Sequence, residues 1–462
     1  MLKSFIGDKA FYRKVMMLVL PIMLQNGITN LVSMVDNIMV GAIGTEQMSA
    51  VAIVNQLLFV FNLAIFGMVS GVGIFTAQYF GKGDNNGIKE TVRLKLVTSI
   101  IILIISILIF VFFGSFLIDS YLHEGTEPMN LELAFEEAKK YLAIMLTGLV
   151  PFVIAQVYGS TLREVERPVL PMVSGIIAVF INLIFNYILI FGHFGSPKLG
   201  VSGAAIATVI SRFAECIITV AVCHFKRSEY TFFKSLYRRF RISLSVTKLV
   251  LPKALPLLMN EFCWSLGIAL LNNAYALRGL DVVAAVNITS TVSNVFMVSI
   301  IAFGSAISII VGGLLGAGKR EEAMDTNKKM TFLSFVISLG LMTAMILLSP
   351  VFPKIYNTAD NVRSLASSFM ICYAIYLPFN SLMNAFYFAI RSGGKTVITF
   401  LLDSAYMLCI TVPFTFILAH FTDINIIPLY ALSLAIEIFK VLFGFYLINR
   451  GDWAQNIVNE KS

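Results

Sequence analysis

The sequence predicts an all-α integral membrane protein with about twelve transmembrane helices in two six-helix lobes. Of its 462 residues, 58% are hydrophobic and only 13% are charged, whereas a soluble domain carries about 25% charged residues. The apolar residues form long runs between short polar loops, and these runs occur in two copies along the chain. Charge this sparse cannot cover a soluble protein of this length, so we interpret the runs as membrane spans.

Each apolar run is long enough to cross a bilayer as a helix, which takes about 20 residues. The runs are too long and too uniformly apolar for barrel strands, so helices are the only spanning element that fits. The predicted spans of the first half are 15–41, 48–76, 94–118, 139–161, 169–191 and 201–224, and those of the second half are 247–276, 283–311, 330–350, 366–389, 398–420 and 427–448.

The two halves match when the sequence is compared with itself at an offset of 235 positions. Pro21 then falls on Pro256, and glycines fall on glycines without a gap: Gly44 on Gly279, Gly81 on Gly316, and Gly83 on Gly318. In a chain this apolar, matches of Pro and Gly are less expected by chance than matches of Leu and Ile. Duplicated membrane units are common in secondary transporters, where the substrate path runs between the halves.

Basic residues are distributed unequally across the predicted membrane. Of the 34 Lys and Arg residues, 26 fall on one side and six on the other. The positive-inside rule therefore places both termini in the cytoplasm of a multi-pass plasma-membrane protein. An even number of spans per half gives both halves the same orientation, related by a pseudo-twofold axis along the membrane normal. The predicted domains are an N-terminal lobe at 1–225, a basic cytoplasmic linker at 226–246 and a C-terminal lobe at 247–462.

Other classes of protein fit the sequence poorly. The five cysteines lie in or at the ends of apolar runs without metal-ligand spacing, and the four histidines lie at helix ends or in loops. No buried nucleophile–base pair is evident, so the protein is not expected to be an enzyme. The loops are too short for a nucleotide-binding domain, which indicates energy from an ion gradient and no cofactor. The net charge of +8 is explained by the basic cytoplasmic side, so we expect no nucleic-acid partner. We also expect the protein to be a monomer in the lipid bilayer.

Asp36 is the ionisable residue of the first span, one to two turns from its outer end. A carboxylate at this depth is costly unless it faces a cavity or a partner. Gln25, Thr29 and Ser33 precede it along one face at helical spacing, which predicts a wet side of the helix. A change in the charge of Asp36 could then drive a conformational switch. The alternative is a carboxylate that only hydrogen-bonds neighbouring helices together.

Three further polar residues and one acid are candidates for ion coupling. Asn182 and Asn186 are four residues apart on one face of the fifth span, and Thr208 follows the small residues Gly203–Ala205 in the sixth. Their oxygens could bind sodium or hydrogen-bond to a carboxyl group, although two Asn side chains are also common contacts between helices. Glu261 is a second buried acid, whose repeat partner is Asn26. It could act in coupling or substrate binding, or form a structural hydrogen bond.

Two pairs of opposite charge and two prolines complete the candidates. Arg212 and Glu215, and Glu437 and Lys440, are each three residues apart, which favours a local ion pair in each helix. Pairing between the two halves is the alternative. Pro21 and Pro256 each remove a helical hydrogen bond and would permit a bend, unless each lies in the first turn of its helix.

With these residues placed, the chain resembles the multidrug and toxic compound extrusion (MATE) family along nearly its whole length. The resemblance depends on the order of several motifs rather than on any one of them. These are Leu20-Pro21 with Gln25, Val35-Asp36-Asn37-Ile38-Met39-Val40-Gly41, Gly81-Lys82-Gly83-Asp84, Asn182-x3-Asn186, Gly203-Ala204-Ala205-Ile206-Ala207-Thr208, Glu261, and Gly316-Ala317-Gly318-Lys319.

The resemblance implies two lobes around a V-shaped central cavity and the export of organic, often cationic, compounds in exchange for protons or sodium. Asp36 would be the coupling carboxylate of the first lobe, with Asn182 and Thr208 around it, and Glu261 would be the coupling acid of the other lobe. Many relatives have Asp where this chain has Asn186, and one branch has an acid where this chain has Asn380. A lipid-linked precursor flippase of the same superfamily is the alternative function. Arg212 and Lys440 are the only basic residues predicted deep in the membrane, which does not favour an anionic lipid headgroup.

Overall fold

A computed structural model describes residues 5–122, 130–226, 228–238 and 241–459, which fold as helices joined by short loops. No β-strand occurs within these ranges, and the predicted all-α membrane fold is confirmed. Both chain ends, part of the outer loop predicted near 119–138, and residues 227, 239 and 240 of the predicted linker lie outside the described residues.

The described residues of the first half of the chain form seven α-helices. They are α1 (Lys9–Gly41), α2 (Thr45–Lys82), α3 (Asn85–Tyr121), α4 (Leu131–Thr147), α5 (Leu149–Glu164), α6 (Val169–Phe191) and α7 (Gly200–Phe225). The second half forms six. They are α8 (Leu244–Ala276), α9 (Leu280–Gly316), α10 (Arg320–Leu348), α11 (Asp360–Ser392), α12 (Thr396–Phe421) and α13 (Ile426–Arg450).

Eleven helices of the described residues are long and apolar enough to cross a membrane, and a bent pair, α4 and α5, makes the number twelve if it is one span. The two helices of this pair meet at 47°, where the sequence predicts a single helix at 139–161. The break has a local cause, because Pro151 has no N–H to donate to the carbonyl group four residues earlier, at Thr147. The predicted number of spans is therefore confirmed, but this span is broken.

One pair of the glycines that repeat between the halves lies in turns. Gly83 follows α2 and Gly318 follows α9, and their φ angles are +77° and +79°. Side chains with a Cβ rarely adopt this left-handed conformation, so each helix is followed by glycine. The repeated Gly83 and Gly318 are therefore structural turn residues.

The described residues divide into two compact units. Unit 1 consists of the chain up to Met23, Ala77–Asp84 and the chain from Leu249 onward, and unit 2 consists of Leu24–Thr76 and Asn85–Lys248. In unit 1, α9 and α10 both pack on α11, and a core forms where the Phe369 and Tyr430 rings stack with centroids 4.3 Å apart. In unit 2, α4, α5 and α6 all pack on α7.

The end of α2 crosses α9 inside unit 1 through a reciprocal set of contacts. A methyl group at Gly81 would overlap the Gly313 carbonyl group, and one at Gly316 would overlap the Gln78 carbonyl group. At the repeat offset, Gly316 is the partner of Gly81, and Gly313 is the partner of Gln78. Ala77 also contacts its own repeat partner, since a methyl group at Gly312 would lie 3.3 Å from its Cβ. Contacts of this reciprocal kind are what a local twofold axis through the crossing produces.

Candidate functional site

Asp36 lies on α1 in unit 2, where its half-buried carboxylate meets α6. The Asn186 side-chain amide donates a hydrogen bond of 2.6 Å to Asp36 Oδ1. Asn186 is almost fully buried, so this bond is shielded from water. The two residues are 150 positions apart in sequence, and the fold brings together two of the residues that the sequence singles out.

Asn182 and Thr208 extend the contact from Asp36 to α7. The side-chain amide of Asn182 lies 3.0 and 2.9 Å from the two carboxylate oxygens of Asp36 and 3.3 Å from Thr208 Oγ1. Thr208 Oγ1 also donates to the backbone carbonyl group of Ala204 at 3.0 Å. All four residues predicted to form one site, Asp36, Asn182, Asn186 and Thr208, therefore form a continuous polar group across α1, α6 and α7.

The amide of Asn182 fits this group in two orientations, because its oxygen and nitrogen differ only in the hydrogen bonds that they make. With its nitrogen toward Asp36, Asn182 donates to both carboxylate oxygens. With its oxygen toward Asp36, it instead accepts from Asn186 Nδ2 at 3.2 Å. The second orientation places an acceptor against a carboxylate, so it requires a proton on Asp36 or a cation between the oxygens.

The atoms of the Asp36 group that could bind a cation are all oxygens. Asn186 Oδ1 is buried and has no hydrogen-bond partner among the described residues. A carboxylate, amide oxygens and a hydroxyl group suit a hard cation and not a thiophilic one. The described residues contain no group of three His, Cys, Asp or Glu side chains that could hold a metal ion. The donor set fits a singly charged hard ion such as sodium.

The polar stripe on α1 contributes less to this site than the sequence predicts. Thr29 and Ser33 donate to backbone carbonyl groups one turn earlier in the same helix, those of Gln25 and Thr29, at 2.8 and 3.0 Å. Their hydroxyl groups are satisfied locally. Gln25 instead reaches α6, where a methyl group at Gly175 would lie 3.0 Å from Gln25 Nε2.

Glu261 lies on α8 in unit 1, beside a polar contact between α8 and α12. The neighbouring Asn260 donates to Asp403 Oδ2 at 2.9 Å, and Ser404 Oγ donates to the backbone oxygen of Asn260 at 2.7 Å. Arg391 and Asp403 are charged residues in the neighbourhood of Glu261. Sequence reasoning missed Asp403, although it lies within the predicted span 398–420 and any intramembrane acid is a candidate by its depth.

Arg391 lies in a different environment from the one that the sequence suggests. Arg391 follows the predicted span 366–389 and is one of the 26 basic residues counted on the cytoplasmic side, but it is only 4% exposed. Its guanidinium group lies 5.9 and 5.2 Å from the ring centroids of Tyr387 and Phe388. Arg391 therefore supplies positive charge within unit 1 near Glu261.

One of the two predicted local ion pairs forms and the other does not. Lys440 Nζ lies 2.5 Å from Glu437 Oε2. Among the described residues, Arg212 makes no ion pair with Glu215, and its guanidinium group lies 5.0 Å from the centroid of the Phe152 ring. Helical side chains lean toward the N-terminus of their helix. Lys440 therefore leans toward Glu437, whereas Arg212, the N-terminal member of its pair, leans away from Glu215.

A buried ion pair that sequence reasoning missed lies in unit 2. Lys95 on α3 is fully buried and bonds to Glu164 at the end of α5. The Lys95 ammonium group also donates to Ser160 Oγ at 3.2 Å, and a methyl group at Gly73 would overlap the Glu164 carboxylate. The distribution of basic residues in the sequence counts Lys95 on the cytoplasmic side, and the sequence does not single out Glu164. The missed signal was the length of α3, which begins at Asn85 and so places Lys95 ten residues inside the helix.

Pro21 and Pro256 both lie in the interior of their helices. α1 begins at Lys9 and α8 at Leu244, so each proline lies about three turns into its helix. This position excludes the first-turn alternative, and each proline removes one backbone hydrogen bond from its helix. A bend at these points stays a prediction.

Membrane-spanning helices with carboxylates and amides packed between them are typical of secondary transporters. The MatE family model matches residues 21–188 and 256–419, and these segments begin at the repeat-related Pro21 and Pro256. The chain therefore belongs to the MATE family, and the predicted resemblance is confirmed.

Relatives of known name agree with this assignment. The chain is 25% identical to "Probable multidrug resistance protein NorM" of Thermotoga maritima, over 96% of this chain and 94% of that protein. It is 23% identical to "Probable multidrug resistance protein YoeA" of Bacillus subtilis, over 94% and 93%.

Two solved structures share the fold. "Crystal structure of MATE in complex with MaD3S" is similar with a TM-score of 0.85 and 19% identity, over 98% of both chains. A MOP superfamily transporter from Pyrococcus furiosus, described with a "reverse polarity of binding pocket", has a TM-score of 0.84 and 20% identity over 97% of this chain and 98% of that one. At these identities the likeness shows the fold alone.

Proposed function

We propose that this protein is a cation-coupled antiporter that exports drugs and other organic, often cationic, compounds across the plasma membrane by alternating access. It works as a transporter and not an enzyme, needs no cofactor, and has both termini in the cytoplasm. Membership of the MATE family and the relatives described as multidrug resistance proteins support export of drug-like compounds. The unequal distribution of Lys and Arg supports the orientation.

The observation that carries the proposal is the contact of the Asp36 carboxylate with the Asn182 and Asn186 amides. A carboxylate in this position can be charged, protonated or paired with a cation. Each state makes different hydrogen bonds with the same two amides. The site therefore has what ion coupling requires, namely a group whose bonds to neighbouring helices depend on the bound ion.

The steps of coupling follow from these bonds. A charged Asp36 accepts hydrogen bonds from both amides and holds α1 against α6. A proton on Asp36 turns the carboxyl group into a donor toward the Asn182 oxygen, and sodium would instead bind to the carboxylate and the amide oxygens. Both changes neutralise the charge and replace the bonds between α1 and α6. The ion can thus favour one conformation of α1, and release of the ion can favour another.

Glu261 is the second coupling acid of the proposal. Arg391 supplies a positive charge near it, and Asp403 supplies a negative one. Because Asn380 stands where one branch of the family has an acid, Asp403 is the nearby carboxylate that can share this role. Glu261 would then respond to ions or cationic substrates separately from Asp36.

An ion gradient supplies enough energy for export. One charge crossing a membrane potential of 100 mV provides about 2.3 kcal/mol, which corresponds to roughly fiftyfold accumulation of the exported compound. Arg212 has no ion pair among the described residues, which leaves the flippase alternative open, but the buried Lys440 and Lys95 are already bonded to Glu437 and Glu164. Neither is free to bind an anionic lipid headgroup.

The experiment is dye transport in proteoliposomes under imposed gradients. Purified protein is given a fluorescent organic cation and either a proton gradient, a sodium gradient, a membrane potential alone or ATP. We expect uptake into inside-out oriented vesicles to follow the proton or the sodium gradient and to ignore ATP. Transport that needs ATP and ignores both gradients would exclude coupling, and movement of a lipid-linked anion in place of the dye would favour the flippase.

A further inference from the structure

The segment after α13 packs against the protein instead of extending into solvent. Residues 451–459, called the strap here, begin at Gly451, whose φ is +73°, and bury Trp453, Ala454, Ile457 and Val458. The Trp453 indole N–H donates to the backbone oxygen of Ile448 at 3.1 Å. The strap is thus an ordered part of unit 1.

Gln78, near the end of α2, holds the strap through its side chain. Gln78 is fully buried, and its Nε2 donates to the backbone oxygens of Gln455 and Ser392 at 3.0 and 2.9 Å. Its Oε1 accepts from the backbone N–H of Ile457 at 2.9 Å. Both donor hydrogens of this amide are therefore used, and two of its three partners belong to the strap.

The strap also fixes the ends of two other helices. Asn456 Nδ2 donates to the backbone oxygen of Gly316 at the end of α9, at 3.1 Å. A methyl group at Gly393, just after α11, would overlap the Trp453 carbonyl group. Lys82 Nζ donates to the Val458 carbonyl group at 3.2 Å. The ends of α2, α9 and α11 are joined through one short segment.

The repeat shows that Gln78 is not needed for the helix crossing itself. Its partner in the second half is Gly313, which has no side chain, and the crossing of α2 and α9 is made by backbone contacts at glycines. The amide of Gln78 is therefore an addition in one half only. Each of its bonds is worth a modest net free energy, because water can replace the lost partner. Such bonds can break and re-form during a cycle.

The position of Gln78 along α2 gives these bonds a consequence. Residues of α2 up to Thr76 belong to unit 2, and those from Ala77 belong to unit 1. The chain passes from one unit to the other within α2, as it also does within α1 and α8 and between α2 and α3. The strap bonds to Gln78 in the first turn of α2 after that point. The end of α2 is therefore fixed when the strap is docked and not fixed when the strap is released.

We propose that the strap leaves Gln78 and docks again in each transport cycle, with Gln78 as the positioning residue that fixes the end of α2. This inference rests on the proposed function, since it assigns a step of alternating access. The released strap would expose side chains that are buried when it is docked. Val458, which is 8% exposed, is the most direct reporter of release.

The test measures the accessibility of position 458 during transport. In a protein whose five native cysteines are replaced, Val458→Cys is labelled with a membrane-impermeant maleimide in inside-out vesicles, with and without substrate and gradient. Labelling is expected to be at least about fivefold faster during transport. With Gln78→Leu added, fast labelling is expected without substrate, and the maximal transport rate should fall while the KM for the dye is unchanged.

Gln455→Leu is the matched control. It makes the same exchange within the strap but keeps the Gln455 backbone oxygen that Gln78 contacts, so labelling and transport should match the parent protein. Equal labelling of Val458→Cys at rest and during active transport would overturn the proposal. If Gln78→Leu does not fold, labelling of Val458→Cys at rest and during transport still tests whether the strap is released. A parent protein that transports nothing under any gradient would instead refute the proposed function.

Discussion

Asp36 differs from the paired acids Glu164 and Glu437 because its partners are amides and not an opposite charge. The carboxylate bonds to Asn186, whereas Glu164 bonds to Lys95 and Glu437 bonds to Lys440. A paired carboxylate keeps its charge, since removing it would leave an unpaired cation in the membrane. A carboxylate held by amides can lose its charge at a smaller cost. This difference makes Asp36, and not Glu164, the better candidate for the proposed coupling residue.

Asp36→Asn should fold and insert normally but lose gradient-driven transport. The substitution keeps the shape of the side chain and removes the carboxylate of the proposed ion site, so accumulation of dye should fall at least about tenfold. Dye uptake by proteoliposomes under the effective gradient is the measurement. Asp360→Asn is the control, since Asp360 is 95% exposed. Full transport by a well-folded Asp36→Asn protein would show that the carboxylate is only structural.

Glu261→Gln should reduce gradient-driven transport partly or completely. The substitution keeps a hydrogen-bonding side chain and removes the charge that Arg391 and Asp403 influence. The effect is measured in the same vesicles, with the rate determined across dye concentrations. Asp403→Asn is the informative companion variant, because loss of transport in both would indicate that the two acids act together. Normal transport in Glu261→Gln would restrict coupling to Asp36.

Lys95→Met should strongly destabilise the protein. Removal of the ammonium group leaves Glu164 buried without its partner, which costs about 3–5 kcal/mol. Thermal unfolding in detergent measures the effect, and the double variant Lys95→Met with Glu164→Gln should recover much of the loss. Lys139→Met breaks an exposed ion pair with Glu136 and should cost about 1 kcal/mol or less. Equal effects of the two single variants would contradict the buried pair.

At the scale of residues, the sequence predicts which side chains are candidates for the site better than it predicts which of them contact one another. Asp36, Asn182, Asn186 and Thr208 are recognisable because polar groups are costly within apolar spans. Their grouping depends on which helices are neighbours, and this is set by packing between distant parts of the chain. Arg212 shows the limit, since its spacing from Glu215 suits an ion pair but its side-chain direction does not.

At the scale of helices, the apolar runs predict number and order well and ends less well. The described helices extend past the apolar runs, as α1 begins at Lys9 and α3 at Asn85, because polar residues can continue a helix outside the bilayer. α12 contains two stretches of wider π-helical turns, Leu401–Ala405 and Met407–Thr411. Apolar periodicity does not reveal this. Such turns are frequent at functional sites, and Asp403 lies in the first of them.

Gly81→Ala should destabilise the crossing of α2 and α9. The added methyl group would overlap the Gly313 carbonyl group, so the helix ends must separate, at a cost of about 1–3 kcal/mol. Unfolding temperature in detergent is the measurement. Gly340→Ala in α10 makes the same change where nothing lies within 4 Å of the new methyl group. This control should be neutral or slightly stabilised, and a Gly81→Ala protein as stable as this control would contradict the close crossing.

At the scale of the whole molecule, the positive-inside rule predicts an orientation of the chain in the membrane, and labelling can test it. Cysteines introduced at Ser228 and at Lys198, both exposed, should be labelled from opposite sides of the membrane. A membrane-impermeant reagent added to intact cells should reach Lys198→Cys and not Ser228→Cys. Inside-out vesicles should give the reverse result, and labelling of both positions from one side would refute the predicted topology.

The reciprocal contact of α2 with α9 also says something about how such a chain could arise. Gly81 contacts Gly313, and Gly316 contacts Gln78. Gly81 and Gly316 are repeat partners, and so are Gln78 and Gly313, so the same contact is made twice with the two halves exchanged. Two separate copies of a single half could make the same contact as an isologous homodimer. The crossing therefore preserves the geometry of a subunit interface within one polypeptide. The two equivalent positions differ in this chain, with Gln78 in one half and Gly313 in the other, a difference that identical subunits could not have.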